Sequence, residues 1–398
     1  MSAIRLTPDT LGEYQAALRD AGVDGWLFYD FRGTNPIAGE LTGVGGFVTR
    51  RFFVWVPADG MPVAITHAIE QGVWSTWPGA WRKVVYSSWR SLEQHLGTLV
   101  AGRRLAMEYS SGDAVPYLDR IPAGVIELVR QAGATVVTSG DLVSRFYARW
   151  SSDDLASHRR AAVVVAGVAQ DAFRFVGERV RSGQAVTEEE VQGRIADAFT
   201  RAGLVFSHPP NVSYGANAAN PHYEPSAGSP VRIEPGATLL IDLWATEPDG
   251  VYADQTWMAS VGPPSERAQS IWTAVRDARD AALDLLRRTA KERGTIRGAD
   301  VDDAARQVIT SRGFGEYFTH RTGHSIDQKD LHGSGPNLDN LETREERLIF
   351  PGIGFSVEPG VYIAGEIGMR SEVNCCFLDG ELVVTPDEYQ REMVELIS

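Results

Sequence analysis

TLLIDLW at residues 238–244 and VYAD at residues 251–254 flank the turn-forming sequence EPDG at 247–250. The pattern predicts a β-hairpin in which Asp242 follows a run of aliphatic residues inside the first strand. Asp254 lies an even number of residues after Asp242, so simple antiparallel pairing places both carboxylates on one face of the hairpin. Charged groups are rarely buried without a partner, and two facing carboxylates therefore indicate a cation or a shared proton between them.

Three further residues of the same chemical kind follow in the chain. His324 lies in HRTGHS (320–325), Glu358 follows an apolar strand-like run in FSVEPG (355–360), and Glu372 enters another strand in GMRSEVN (368–374). Four carboxylates and one imidazole suit a pair of hard or borderline divalent ions. Each residue alone is a weak signal, whereas the ordered set predicts a metal centre.

The chain around these residues separates into two regions of different pattern. Residues 1–150 alternate helix-like and strand-like segments and predict an α/β domain with a mixed sheet. After SSDD at 151–154, Asp154 is expected to cap a long helix that reaches about Arg181. We therefore expect domains at 1–150 and 151–398.

The second region repeats one order of elements. Helical patterns up to about residue 202 precede strands up to about 259, and helical patterns at about 266–293 and 300–312 precede strands at about 354–384. The sequence RIADAFTRAG at 194–203 resembles ARQVITSRG at 305–313. We interpret residues 151–398 as duplicated ααβ halves, and the whole chain as α/β (α+β).

Composition restricts the partners and the compartment. The 398 residues carry a formal net charge of -14, which argues against nucleic acid or an anionic membrane as the main partner. The N-terminus has no apolar run of signal-peptide length, and no stretch approaches the roughly 18 apolar residues of a membrane span. The cysteines, Cys375 and Cys376, are adjacent and are expected to be buried thiols. These features predict a cytoplasmic protein.

The motifs resemble those of the pita-bread-fold metallopeptidases, which include Xaa-Pro dipeptidases (prolidases), Xaa-Pro aminopeptidases and methionine aminopeptidases. The resemblance covers residues 151–398 and implies a creatinase/aminopeptidase-like fold there, while the N-terminal region fits the proline-specific members. It also implies roles for His222, in the sequence PHY at 221–223, and for His332. The implied metal ligands are Asp242, Asp254, His324, Glu358 and Glu372.

The resemblance further implies the chemistry. Asp242 is expected to bind one divalent ion, His324 and Glu358 the other, and Asp254 and Glu372 to bridge them, with a shared water or hydroxide as nucleophile. Glu358 is the expected proton acceptor, and His222 and His332 the donors to the substrate carbonyl oxygen. The oxygen-rich ligand set favours manganese, although cobalt and zinc also suit it. Related proteins imply a homodimer.

The sequence indicates the substrate less clearly than it indicates the metal centre. A dipeptidase must hold the free carboxylate of its C-terminal proline, and Arg344 is the candidate because a guanidinium binds a carboxylate through two hydrogen bonds. Arg344 begins the charged run REER at 344–347, so a solvated surface charge is the alternative. Arg370 is a second candidate contact. A proline-containing dipeptide is the favoured substrate, a longer Xaa-Pro peptide is the second, and a non-enzymatic binding module is the third.

Two departures from the family pattern bear on these expectations. The segment from His324 to His332 is one residue longer than the common pattern, which leaves the placement of His332 open. Trp257 stands where the family often has arginine, and is expected to border the site. Both changes predict a substrate preference different from that of well-known members.

Overall fold

The computed structural model describes residues 3–225 and 228–397. The chain divides into two compact units, of which the first ends at Ala148 and the second begins at Arg149. This division lies two residues before the domain boundary expected from sequence. Within the described ranges, none of the helices is long and apolar enough to cross a membrane.

The first unit contains a mixed six-stranded sheet with helices packed on it. The elements are α1 (Leu11–Asp20), β1 (Gly25–Asp30), α2 (Pro36–Thr42), β2 (Phe52–Pro57), β3 (Val63–His67), β4 (Arg82–Tyr86), α3 (Trp89–Val100), β5 (Arg104–Met107), α4 (Ala123–Gln131), β6 (Thr135–Thr138) and α5 (Gly140–Phe146). The strand order is β4-β3-β2-β1-β5-β6, in which β1 pairs antiparallel with β2 and parallel with β5. The predicted mixed sheet is therefore present.

Strand β1 is buried on both faces, which explains the unbroken run WLFY at residues 26–29. Trp26 and Phe28 belong to one hydrophobic cluster, and Leu27 and Tyr29 to another. Strand β2 begins at Phe52 and follows a segment in which Gly43 and Gly46 adopt the left-handed region that glycine tolerates.

The second unit has the repeated order of elements that the sequence predicts: two helices and then strands, twice. The elements are α6 (Ser152–Arg181), α7 (Glu188–Arg201), β7 (Asn211–Tyr214), β8 (Thr238–Ala245), β9 (Ala253–Ser260), α8 (Glu266–Lys291), α9 (Gly298–Ser311), β10 (Ile353–Val357), β11 (Gly360–Ile363), β12 (Ile367–Arg370), β13 (Val373–Leu378), β14 (Glu381–Thr385) and β15 (Val394–Glu395).

One predicted cap is wrong. The N-cap of α6 is Ser151, whose hydroxyl accepts the backbone N–H of Asp154 at 3.1 Å. The Asp154 carboxylate in turn accepts the backbone N–H of Ser151 at 2.8 Å. Asp154 is thus the third helical residue, and it completes a capping box. Its carboxylate accepts the backbone N–H of the cap residue, while the serine hydroxyl accepts a backbone N–H of the helix.

The strands of the second unit form small sheets that carry the candidate site. Strands β15, β9, β8 and β7 form one sheet, β10, β13 and β14 another, and β11 pairs with β12. Helix α6 packs on β8 and β9, and its alanines and valines join the apolar face of that sheet in one hydrophobic cluster. The opposite face of β8 and β9 carries the acidic residues.

Candidate metal centre

The hairpin of β8 and β9 brings two carboxylates to one face. Asp242 pairs with Thr256 across the hairpin, and Trp244 pairs with Asp254. Because side chains alternate between the faces of a strand, all four lie on the same side of the sheet. The predicted common face of Asp242 and Asp254 is confirmed, and the two residues are diagonal neighbours.

The second half of the unit supplies two candidate ligands that one serine links. The Ser356 hydroxyl accepts the backbone N–H of His324 at 2.9 Å and lies 3.0 Å from Glu358 Oε1, to which it donates. The loop of His324 lies tightly against β10, since a Cβ on Gly323 would come within 2.0 Å of the Ser356 carbonyl oxygen. Glycine at 323 therefore permits the approach that fixes His324 beside Glu358.

The side chains converge on a small buried volume. His324 Nε2 lies 3.4 Å from Asp254 Oδ2 and 3.5 Å from Glu358 Oε1. One ligand atom each from Asp254, His324 and Glu372 lies within 4.8 Å of the other two. Asp254 Oδ1 and Glu372 Oε1 are buried without a hydrogen-bond partner among the described residues. Unpaired buried carboxylate oxygens are costly, so this donor set fits a divalent cation.

Asp242 joins the group through Thr256 and Arg370. The Thr256 hydroxyl donates to Glu372 Oε2 at 2.8 Å and lies 3.3 Å from Asp242 Oδ1. Arg370 forms a close ion pair with Asp242 Oδ2, and its Nε donates to Thr256 Oγ1 at 2.8 Å. Arg370 thus balances part of the negative charge, and its predicted contact with substrate stays a prediction.

Burial and mutual repulsion favour protonated carboxyl groups in this cluster. Burial raises the pKa of Asp242 to about 6, against the attraction of Arg370, and the negative charge of Asp254 adds to the rise. Burial, together with the charges of neighbouring carboxylates, holds the pKa of Glu372 well above its usual range. A divalent cation relieves the same repulsion when it replaces these protons.

For Glu358 and His324, in contrast, the pKa shifts favour the charged form of the side chain. Burial works against the charged form of Glu358, but the positive charges of His324 and Arg370 outweigh it and lower the pKa of Glu358. Burial likewise opposes a charged His324, yet the hydrogen bond that its ring donates to Asp254 and the charge of Glu358 raise its pKa. Glu358 is therefore the carboxylate of this cluster that most readily stays ionised.

The two histidines predicted to contact substrate lie in different surroundings. The ring of His332 lies 4.3 Å from that of His324, centroid to centroid, at an interplanar angle of 67°. The longer segment between them therefore still brings His332 to the cluster. His222 lies in an exposed position, where its backbone N–H donates to Asn220 Oδ1 at 3.1 Å. The catalytic roles of both stay predictions.

Arg344 lies on the surface with its side chain 71% exposed, and its Nε is 3.6 Å from Glu346 Oε1. Its neighbours in the charged run differ, because Glu345 and Arg347 are buried and form an ion pair at 2.5 Å. Arg347 also donates to the carbonyl oxygens of Ser334 and Gly335, in the loop that follows His332. The carboxylate-binding role of Arg344 stays a prediction.

Several residues of the centre were not found by sequence reasoning. Ser356 positions His324 and Glu358, and Tyr362 lies 2.8 Å from His320 Nε2 and 3.4 Å from Arg370 Nη1. Trp244 has a buried Nε1 without a partner in the described chain and shares the face of Asp242. Strand alternation could have indicated Trp244, whereas Tyr362 and Ser356 required the fold.

The expectation for Trp257 is wrong. Trp257 pairs with Ile241, on the face of the hairpin opposite to Asp242 and Asp254. Its side chain belongs to the hydrophobic cluster beneath α6, and its Nε1 donates to Gln255 Oε1 at 2.9 Å. The substitution therefore changes the core behind the hairpin and does not border the metal side.

Comparison with known proteins identifies a family that this chain matches. Residues 156–377, more than half of the chain, match the model of metallopeptidase family M24. Over 203 residues the chain is 34% identical to a protein named Xaa-Pro dipeptidase from Lactobacillus helveticus and 33% identical to one so named from Lactobacillus delbrueckii. Each match covers 50% of this chain and 50% of the relative, so the chain aligns with about half the length of these relatives.

Solved structures extend the likeness of fold to nearly the whole chain. A dipeptidase from Mycobacterium ulcerans has a TM-score of 0.65 at 22% identity, with 98% of each chain covered. An X-Pro aminopeptidase from Thermotoga maritima has a TM-score of 0.55 at 20% identity, with 96% of this chain and all of that chain covered. At these identities the likeness shows the pita-bread fold predicted from the sequence.

Proposed function

The chain belongs to metallopeptidase family M24, and we propose that it hydrolyses dipeptides that have proline in the second position. The observation that carries this proposal is the convergence of Asp254, His324 and Glu372, two of which have a buried oxygen that meets no partner in residues 3–225 and 228–397. The relatives named Xaa-Pro dipeptidase support the substrate class. The fold neighbours do not separate a dipeptidase from an aminopeptidase, since both names occur among them.

We propose that the cluster holds two divalent ions, with manganese favoured by its oxygen-rich donors. Such ions, when bound, polarise the scissile carbonyl and lower the pKa of a water molecule. The ligands would be Asp242, Asp254, His324, Glu358 and Glu372. Their spacing supports the assignment, because four of them surround one buried volume and Asp242 is joined to Glu372 through the Thr256 hydroxyl.

The side chains of the chain itself would direct the proton and the substrate. Glu358 is the proposed proton acceptor, because the positive charges beside it keep its carboxylate ionised. Ser356 donates to Glu358 Oε1 and so fixes the orientation of that carboxylate. His332, beside His324, and His222 are the proposed donors to the carbonyl oxygen as negative charge develops on it.

The exposure of Arg344 favours a second candidate, an Xaa-Pro aminopeptidase that trims longer peptides. A guanidinium that is 71% exposed and 3.6 Å from a glutamate that is also exposed is a poorly fixed carboxylate ligand. In a dipeptidase, Arg344→Ala should raise KM for Ala-Pro while kcat changes little. In an aminopeptidase the same substitution should leave both constants unchanged, and Glu346→Ala is the matched control for the exposed pair.

We further propose that residues 151–398 form the catalytic domain, since every proposed ligand lies there, and that the N-terminal domain occupies 1–150. A cytoplasmic location is supported by Cys375 and Cys376, which are free and buried. A homodimer is proposed from the family alone.

The proposal is tested by hydrolysis of Ala-Pro beside Ala-Pro-Ala, after chelation and again after addition of manganese. Hydrolysis of Ala-Pro alone, lost on chelation and restored by the metal, is the expected result. Faster hydrolysis of the tripeptide would replace the dipeptidase with the aminopeptidase. If neither peptide is hydrolysed with manganese, cobalt or zinc, the peptidase proposal is wrong.

A further inference from the structure

The segment 211–223, which carries His222, is fixed on both sides of that residue. On one side, the carbonyl oxygen of Pro221 accepts a hydrogen bond from Asn211 Nδ2 at 3.3 Å. On the other side, the Tyr223 hydroxyl donates to Glu188 Oε2 at 2.6 Å. His222 itself remains exposed, so its position depends on its two neighbours and on the bond from its backbone N–H to Asn220.

Glu188 is a fully buried carboxylate, and in the described part of the chain its hydrogen-bond donors lie in this segment. Besides Tyr223, its oxygens accept the backbone N–H of Tyr214 at 2.6 Å and the amide of Asn217 at 3.0 and 3.2 Å. A buried carboxylate is costly unless it is hydrogen-bonded. These bonds join the start of α7 to the loop and so restrain the conformation of the loop.

The other anchor ties the same segment to the metal ligands. Asn211 on β7 is the register partner of Asp242 on β8. The short helical turn Gly215–Ala219 packs on β12, where a Cβ at Gly368 would come within 1.7 Å of the Ala218 carbonyl oxygen. Since β12 ends at Arg370, the ion-pair partner of Asp242, the segment is fixed against the strands that carry the centre.

We propose that Glu188, Tyr223 and Asn211 are positioning residues, which hold His222 where it can donate to the carbonyl oxygen of the substrate. This inference rests on the proposed function. The three residues act through His222 and do not contact the substrate. A hydrogen bond to a buried carboxyl group restrains the segment that makes it, and small displacements of a catalytic group are costly, so the loss of one anchor should lower the rate markedly.

Tyr223→Phe removes the hydroxyl that bonds Glu188 and retains the ring. We expect kcat for Ala-Pro to fall about 10-fold, with KM and bound manganese unchanged. The matched control is Tyr214→Phe, because the Tyr214 hydroxyl, in the same segment, donates to the carbonyl oxygen of Glu234 and not to Glu188. The control should keep the wild-type rate. In a His222→Ala background, Tyr223→Phe should cause no further loss.

Amide hydrogen exchange of residues 211–223 gives a readout that does not need activity. Exchange in this segment should be faster in Tyr223→Phe than in Tyr214→Phe or the wild type. Unchanged exchange, or an equal loss of kcat in the control, would overturn the proposal. So would a 10-fold loss that persists in the His222→Ala background, because Tyr223 would then act independently of His222. If the wild type hydrolyses neither peptide, the proposed function fails, and exchange alone decides the anchoring.

Discussion

Glu372→Gln should separate the two roles of the carboxylate cluster, because it keeps the shape of the side chain and removes its charge. In the metal-free protein, burial and neighbouring charges hold the pKa of Glu372 well above its usual range and so favour its neutral form. Its Oε2 accepts from Thr256, and an amide oxygen can accept the same bond. The stability of the metal-free variant should therefore lie within about 1 kcal/mol of the wild type.

In the presence of manganese, the thermal stabilities of the wild type and Glu372→Gln should differ. Manganese at a hundredfold excess over its dissociation constant stabilises the folded wild type by about 2.7 kcal/mol. A change of 1 kcal/mol shifts the Tm of a unit of this size by roughly 2–4 °C, so the wild type should gain about 5–11 °C. Glu372→Gln should lose most of that gain, as measured by thermal unfolding with EDTA or manganese. A metal-induced shift of wild-type size in the variant would refute the assignment of Glu372 as a ligand.

The other predictions concern pH. Asp242 has a pKa raised to about 6, the pKa of Glu372 is held well above its usual range, and metal binding requires both groups ionised. Manganese affinity measured by calorimetry should therefore fall at least about tenfold per pH unit below about 6. An affinity independent of pH from 8 to 5 would contradict this. His158 is buried between the Tyr252 carbonyl oxygen and the Thr385 hydroxyl, and burial lowers its pKa to about 4. In the unfolded chain this histidine is protonated near pH 6.5, whereas in the folded protein it takes up a proton only at lower pH. His158 should therefore cost the wild type about 3 kcal/mol of stability as the pH falls from 6.5 to 4. Urea unfolding should show a smaller loss in His158→Gln, and equal losses would contradict the assignment.

The parts of the centre that follow from local pattern were predictable from the sequence. Alternation along β8 and β9 placed Asp242 and Asp254 on one face, and the register confirms it. The same alternation places Trp244 on that face. A rule of period two fixes which side of a sheet a residue faces, whatever the rest of the chain does.

Other features depend on contacts between distant segments. The charged run 344–347 shows this most clearly, since Arg344 and Glu346 face solvent while Glu345 and Arg347 are buried. The buried guanidinium of Arg347 donates to carbonyl oxygens in the loop after His332. These contacts join segments that are apart in the chain, so the local sequence pattern does not predict them. The anchoring of segment 211–223 by Glu188 is hidden in the same way, because three consecutive glutamates at a helix start predict only favourable charge near the N-terminus.

The wrong prediction of Asp154 as the N-cap of α6 has a local cause. Both Ser151 and Asp154 are residue types that cap helices, and the sequence places them three residues apart. That spacing is itself a capping box when the first residue is the cap, which is the arrangement observed.

The central claim is that five side chains of this unit bind two metal ions, and the most direct test is the metal content of purified protein. After reconstitution with manganese and removal of free metal, elemental analysis should find about two ions per chain, as in other two-metal sites. Asp242→Asn, which changes the ligand proposed for one ion alone, should retain about one. A chain that retains no manganese, cobalt or zinc, or a variant whose metal content equals that of the wild type, would contradict the account.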